Sequence, residues 1–242
     1  MIDFETNSAQ EILQWAIQSF ESRFAIVTSF QAEGMVLLDL AHRVTSHLRV
    51  ITLDTGRLPA ETFEMMERVR FRYGVRVEIV TPDTNELSSM VTRFGPNLFL
   101  QEPALRNLCC EIRKVRPLGR KLEELSAYAV GLRREQSDSR QNIRKADEVD
   151  GRTKLSPLAD WTRTAVWQYV RENDVPAHAL YERGYQSIGC APCTRAVAAG
   201  KDERSGRWWW ENDAVKECGI HFSPDGQVQR KVDVMLSEVL PH

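Results

Sequence analysis

The chain lacks an excess of either charge: 32 Lys and Arg stand against 34 Asp and Glu, a formal net charge of −2. Nothing in that balance draws the whole molecule to nucleic acid or to an anionic membrane, so any anionic ligand must be met by local basic clusters. It also lacks an apolar run long enough to cross a bilayer. Met1-Ile2-Asp3-Phe4-Glu5 has neither the basic nor the apolar region of a signal peptide. A cytoplasmic protein with no membrane and no nucleic-acid partner is expected. Cysteine is scarce and odd in number, five in 242 residues. Outside secretion, that favours metal ligands or reactive thiols over a disulfide framework. Internal repeats, low-complexity tracts and a linker are missing too. A hydrophobic fraction of 42% suits one domain, residues 1–242, that buries a real core.

What is present alternates. Ile12, Leu13, Ala16, Ile17 and Phe20 recur at helical spacing behind a cap at Asn7 or Ser8. Phe24 to Ser29 reads as a buried strand, Gln31-Ala32-Glu33-Gly34 as a turn, and Met35 to about Val44 as an apolar helix. The unit recurs as a strand from Leu48 to Leu53, the turn Asp54-Thr55-Gly56, and a helix from Pro59 to Arg72, where the proline sits at a tolerated position. Further strands run from Val75 to Val80 and from Ala127 to Leu132. Strands alternating with helices imply an α/β fold, a parallel sheet with helices on both faces. Ligands of such sheets bind at the carboxyl ends of the strands. Those ends carry Ser29 to Gly34, Asp54 to Arg57, and Arg133 to Arg140. Beyond about Leu155 come a helix from Trp161 to Asn173, loops rich in glycine, cysteine and arginine, the run Trp208-Trp209-Trp210, and an amphipathic helix carrying Val228, Val232, Met235, Leu236 and Val239.

The cysteines divide into four plus one. Cys109-Cys110 and Cys190-x-x-Cys193 form two pairs of soft ligands, the donor set of an iron–sulfur cluster or a zinc site. Adjacent ligands are unusual in a zinc knuckle, which tilts the reading toward a cluster. Cys218, in Glu217-Cys218-Gly219-Ile220-His221, stands apart. A free thiol is only slightly ionised at neutral pH, and Lys216, His221, Arg204 and Arg207 are the cations that would raise its thiolate fraction. Arg133, Arg134, Arg140, Arg195, Arg204 and Arg207 cluster around strand ends and cysteine loops, where planar cationic forks suit phosphate or sulfate oxygens. The turn from Ser29 to Met35 joins a strand to a helix, a place that favours anions. It has neither the lysine of a P-loop nor the glycine spacing of a dinucleotide fingerprint.

Together these segments resemble the assimilatory adenylyl-sulfate reductases, the cluster-containing branch of the phosphoadenylyl-sulfate reductase family. The resemblance runs in order through Ser29-Phe30-Gln31-Ala32-Glu33, Leu53-Asp54-Thr55-Gly56-Arg57, Cys109-Cys110-x-Ile112-Arg113-Lys114 and Arg133-Arg134-Glu135-Gln136-Ser137. It continues through Ser187-Ile188-Gly189-Cys190-x-Pro192-Cys193-Thr194-Arg195, Gly206-Arg207-Trp208-Trp209-Trp210 and Glu217-Cys218-Gly219-x-His221. It implies an ATP-pyrophosphatase-like fold of the adenine nucleotide alpha hydrolase type, with residues 195–242 as a catalytic tail and extension. It further implies one 4Fe-4S cluster on Cys109, Cys110, Cys190 and Cys193, adenylyl sulfate as substrate, and thioredoxin or glutaredoxin as reductant. Cys218 and His221 would be catalytic, while Ser29, Phe30, Leu53, Thr55, Gly56, Lys114, Arg133, Arg140, Arg204 and Arg207 would bind substrate. A homo-oligomer is compatible with it.

Two departures stand out. Gly34 replaces the aspartate usual after Ala-Glu, a change expected to loosen the helix start. The chain also continues past His221 to His242, either to pack on a neighbouring subunit or to cap the fold. Three competing readings remain at this point: reduction of the 3′-phosphorylated nucleotide, a zinc-containing PP-loop enzyme of RNA thiolation, and a non-catalytic nucleotide or cluster sensor.

Overall fold

A computed structural model describes residues 2–198, 200–211, 217, 219 and 226–240. Helix α1 (Ala9–Phe20) opens with a capping box: Ser8 Oγ accepts from the Glu11 amide, and the Glu11 carboxylate accepts from the Ser8 amide. Then follow β1 (Phe24–Val27), α2 (Ala32–His42), β2 (Val50–Leu53), α3 (Ala60–Tyr73), β3 (Val77–Val80), α4 (Thr84–Phe94), α5 (Pro103–Cys110), α6 (Arg116–Leu122) and β4 (Ala127–Val130). The hairpin β5 (Ala146–Val149) and β6 (Arg152–Leu155), α7 (Arg163–Glu172) and α8 (Gly226–Val239) complete the described elements.

The six strands lie in the order β3-β2-β1-β4-β6-β5, all parallel except the β5–β6 pair. The strand order reverses between β1 and β4, and this switch point is where an α/β sheet opens a crevice. Alternate residues of β1 go to opposite faces. Phe24 and Ile26 join the core formed with α1, α2, α3 and α7, and Ala25 joins a second core with Leu118 of α6. Both faces are therefore covered, as a parallel sheet requires. No helix among the described residues is long and apolar enough to cross a membrane.

Helix α2 begins at Ala32, three residues before its expected start. Gln31 takes the cap position in extended backbone, and the Ala32 amide donates to the Tyr181 hydroxyl at 3.0 Å, satisfying one of the first-turn donors. Gly34 sits inside this helix. A Cβ there would lie 2.1 Å from Thr28 Oγ1, so the glycine permits a close approach between helix and strand end.

The segment from Asp83 to Leu122, for which the periodicity gave no element, is helical. Asp83 caps α4 by accepting from the Asn85 and Glu86 amides. Helices α5 and α6 are joined by a π-helical turn, Glu111–Val115, immediately after the cysteine pair. Helices α4, α5 and α8 enclose a separate apolar cluster that includes Met90, Leu108, Trp208, Val232 and Val239. The described part of the extension thus packs against its own chain.

Candidate active site

A cavity of about 200 Å³ opens at the switch point, between the carboxyl ends of β1, β2 and β4. Ser29, Leu53, Thr55, Lys114, Arg140, Arg204 and Arg207, all expected to bind substrate, line it. Three other candidates do not. Phe30 is fully buried in the main core at φ +57. Gly56 turns the chain just outside the cavity at φ +68, its amide donating to Asp54 Oδ1. Arg133 is 1% exposed and is held by Glu33, Glu135 and Glu203 at 2.8, 3.1 and 3.1 Å. A cation so fully neutralised ties together the start of α2, the loop after β4 and the loop at 203, rather than facing a ligand.

The resemblance left several lining residues out of the site set. Gln31, Glu33, Gln136 and Ile188 lay inside its quoted motifs and line the cavity too. Gln31 Oε1 accepts from the Ile188 amide at 2.7 Å, joining the first turn to the cysteine loop. The polar side chains of Gln31, Glu33 and Gln136 carried no signal separate from that of an ordinary turn, and Ile188 none beyond that of an apolar loop residue.

All four paired cysteines are buried, at 5–7% exposure, and they surround one small internal cavity with Arg57, Arg106, Arg113 and Lys114. Two come from the end of α5 and two from the loop at 190–193, so the site joins segments 80 residues apart only in the folded chain. Lys114 and Cys190 line both this cavity and the large one.

Burial pushes the Cys193 thiol up to about 11, with the nearby Cys190 adding to the rise. Burial likewise raises Cys109 against the opposing charges of Arg113 and Lys114. Burial works against the Cys190 thiolate as well, but Lys114 and a 3.2 Å contact with Thr55 Oγ1 outweigh it, and the thiol falls below its ordinary value. Arg113 Nη1 donates to the Thr55 carbonyl at 2.6 Å, whereas its buried Nε has no hydrogen-bond partner among the described residues. Among those residues, no three His, Cys, Asp or Glu side chains converge as ligands of a single metal ion would.

The two catalytic candidates, Cys218 and His221, lie outside the described residues, but Glu217 and Gly219 do not. The Glu217 carboxylate is paired with Arg140 at 2.7 Å and Arg204 at 3.0 Å. Burial raises its pKa, but the hydrogen bonds and charge of the two arginines prevail and hold it below the usual carboxylate range.

The profile of the phosphoadenosine phosphosulfate reductase domain matches residues 23–196, from β1 to just past the second cysteine pair. The chain belongs to this family of sulfonucleotide reductases. Within it, the chain is similar to the adenosine 5′-phosphosulfate reductase of Allochromatium vinosum, 44% identical over 222 residues that cover 90% of this chain and 86% of that one. The crystal structure of the phosphoadenylyl-sulfate reductase from Candida auris, in a phosphate complex, superposes with a TM-score of 0.67 at 27% identity, covering 79% of this chain and 91% of that one. Yeast FAD synthetase shares the fold, with a TM-score of 0.55 at 14% identity over 78% of this chain and 66% of that one.

Proposed function

We propose that this protein reduces adenylyl sulfate to sulfite and AMP, with thioredoxin or glutaredoxin as the reductant. The observation that carries this reading is the shared wall between the two cavities. A cationic crevice at the switch point meets a buried ring of four cysteines through Lys114 and Cys190. The relatives' names supply the sulfonucleotide.

Ser29, Leu53 and Thr55 hold the adenosine at the strand ends, and Lys114, Arg140, Arg204 and Arg207 face its anionic groups. The Cys218 thiolate attacks the sulfate sulfur. An S–S bond forms, the bond from sulfur to the bridging oxygen breaks, and AMP leaves with that oxygen and its electron pair. One thiol of the reductant attacks the Cys218 sulfur of the S-sulfocysteine that remains, breaking its bond to the sulfonate. The second thiol breaks the resulting mixed disulfide, so that the reductant ends as a disulfide and supplies two electrons. Sulfite departs, and Cys218 regains a proton. The charge on the entering thiolate and the leaving phosphate makes fixed guanidinium groups the main catalytic resource.

The cysteine ring suits a 4Fe-4S cluster on Cys109, Cys110, Cys190 and Cys193: the donors are soft, dry and ringed by cations, and the buried Arg113 Nε has no hydrogen-bond partner among the described residues. Held by these four cysteines, such a cluster would join α5 to the 190–193 loop and supply a fixed charge, while the reductant provides the electrons.

The test uses anaerobically purified protein, first for iron and zinc content. It is then incubated with adenylyl sulfate without reductant and mapped by peptide mass spectrometry. One sulfonate on Cys218, removed by reduced thioredoxin with release of sulfite, is expected. An adduct on another cysteine, or normal turnover in Cys218→Ser, overturns the assignment.

A further inference from the structure

Glu217 is an acidic residue buried to 6% exposure, and no step above uses it. Its carboxylate accepts from Arg140 Nε at 2.9 Å and Nη2 at 2.7 Å, from Arg204 Nη2 at 3.0 Å, and from the hydroxyls of Ser137 and Ser139 at 3.2 and 3.1 Å. Arg140 and Arg204 are two of the cations that line the nucleotide cavity. Its backbone carbonyl accepts from Arg106 Nη1 at 2.8 Å. Arg106 lines the cysteine cavity, is anchored by Glu211 at 2.9 Å and stacks over the Trp208 ring at 4.5 Å. Residue 217 is therefore gripped from both cavities at once. On the far side of residue 218, Gly219 also lies close against the fold: a Cβ there would stand 3.1 Å from Val115 Cγ2.

A surface tail does not need five hydrogen bonds to one carboxylate. Burying that charge is favourable only because both partners are present and oriented. The residue that follows Glu217 in sequence is Cys218.

We infer that Glu217 is a positioning residue of the reaction: its carboxylate, clamped by Arg140 and Arg204, holds the chain against the nucleotide cavity at the residue that immediately precedes the Cys218 nucleophile. This rests on the reading of Cys218 as the nucleophile. The same two arginines serve the substrate's anion and the tail, so nucleotide and tail share one pair of cations. Removing the Glu217 charge takes a competing anion from those cations and releases the chain next to the nucleophile.

The experiment compares wild-type holoenzyme with Glu217→Gln and Glu217→Asp, each checked for unchanged iron content and visible spectrum. Single-turnover formation of the Cys218 sulfonate from adenylyl sulfate is timed without reductant, and AMP affinity is measured separately. In Glu217→Gln, adduct formation should slow by about a hundredfold, as misplaced reacting groups do. AMP should bind roughly fivefold more tightly in the same variant, because a competing anion is gone. Glu217→Asp, which keeps the charge but shortens its reach, should bind AMP as the wild type does and slow by about tenfold; it decides the matter if the glutamine variant does not fold. Adduct formation at the wild-type rate in either variant overturns the inference, as does unchanged AMP affinity in Glu217→Gln. If the wild type forms no adduct on Cys218, the nucleophile reading fails first and takes this inference with it.

Discussion

The Thr55 hydroxyl lies 3.2 Å from the Cys190 sulfur, so the turn that ends β2 touches the cysteine ring directly. Thr55 and Cys190 both line the large cavity, and the Cys190 thiol is set below its ordinary value by Lys114 and by this contact, against the pull of burial.

Cys110→Ser, Cys190→Ser and Cys193→Ser should each lose iron and turnover together, because each removes one of four soft ligands from a dry site. Iron analysis and visible absorbance of anaerobic preparations provide the check. Full iron content with normal turnover in all three would exclude the cluster.

Adenylyl sulfate should be the better substrate by kcat/KM than its 3′-phosphorylated counterpart, as the cysteine pattern and the Allochromatium relative suggest. Steady-state assays with both nucleotides decide it, and a clear preference for the phosphorylated form reverses the assignment.

Gly34→Ala should destabilise the protein by about 1–3 kcal/mol, the usual cost of overpacking a filled site. The added Cβ would lie 2.1 Å from Thr28 Oγ1 and 3.0 Å from Thr28 Cβ. Combining it with Thr28→Ala should recover part of the loss, a coupling that denaturant titration of the four-member cycle measures. Strict additivity would show that the two positions do not compete for space.

Acidification should weaken the fold through His178, which is buried at 1% exposure between the Thr62 hydroxyl and the Leu180 amide. Burial lowers its pKa from the ordinary 6.5. The unfolded chain therefore takes up a proton at a pH where the folded one refuses it. The contribution is fully present above about pH 6.5 and is lost as pH falls through the lowered folded value. Urea midpoints followed from pH 7.5 downward should fall less in His178→Gln than in the wild type; parallel curves would place the acid sensitivity elsewhere.

The alternation from Phe24 to Arg72 was legible because each strand and helix buries enough apolar surface to leave its period in the sequence, and boundaries shifted by only a few residues. The hairpin at 146–155 was not. Its first strand lies half-exposed at the sheet edge, and Ala146-Asp147-Glu148-Val149 shows no apolar alternation. Its one clear sign was Asp150-Gly151, both residues at positive φ. Helix α4 was also missed, although Asp83 with Glu86 is a capping signal and Leu87, Met90, Val91 and Phe94 recur at helical spacing and pack in the apolar cluster shared with α5 and α8.

By itself the sequence determined the parallel α/β class, the division of cysteines into four and one, and the family, since these rest on residue types, local periods and motif order. Only the tertiary structure decided which cations face the cavity. Arg133 and Arg140 look alike in the sequence, yet three carboxylates, two of them from distant segments, bury Arg133 as a structural tie, while Arg140 lines the cavity and grips Glu217. An arginine's role follows from the partners that reach its five donors, and partners up to 100 residues away in sequence become neighbours only through folding.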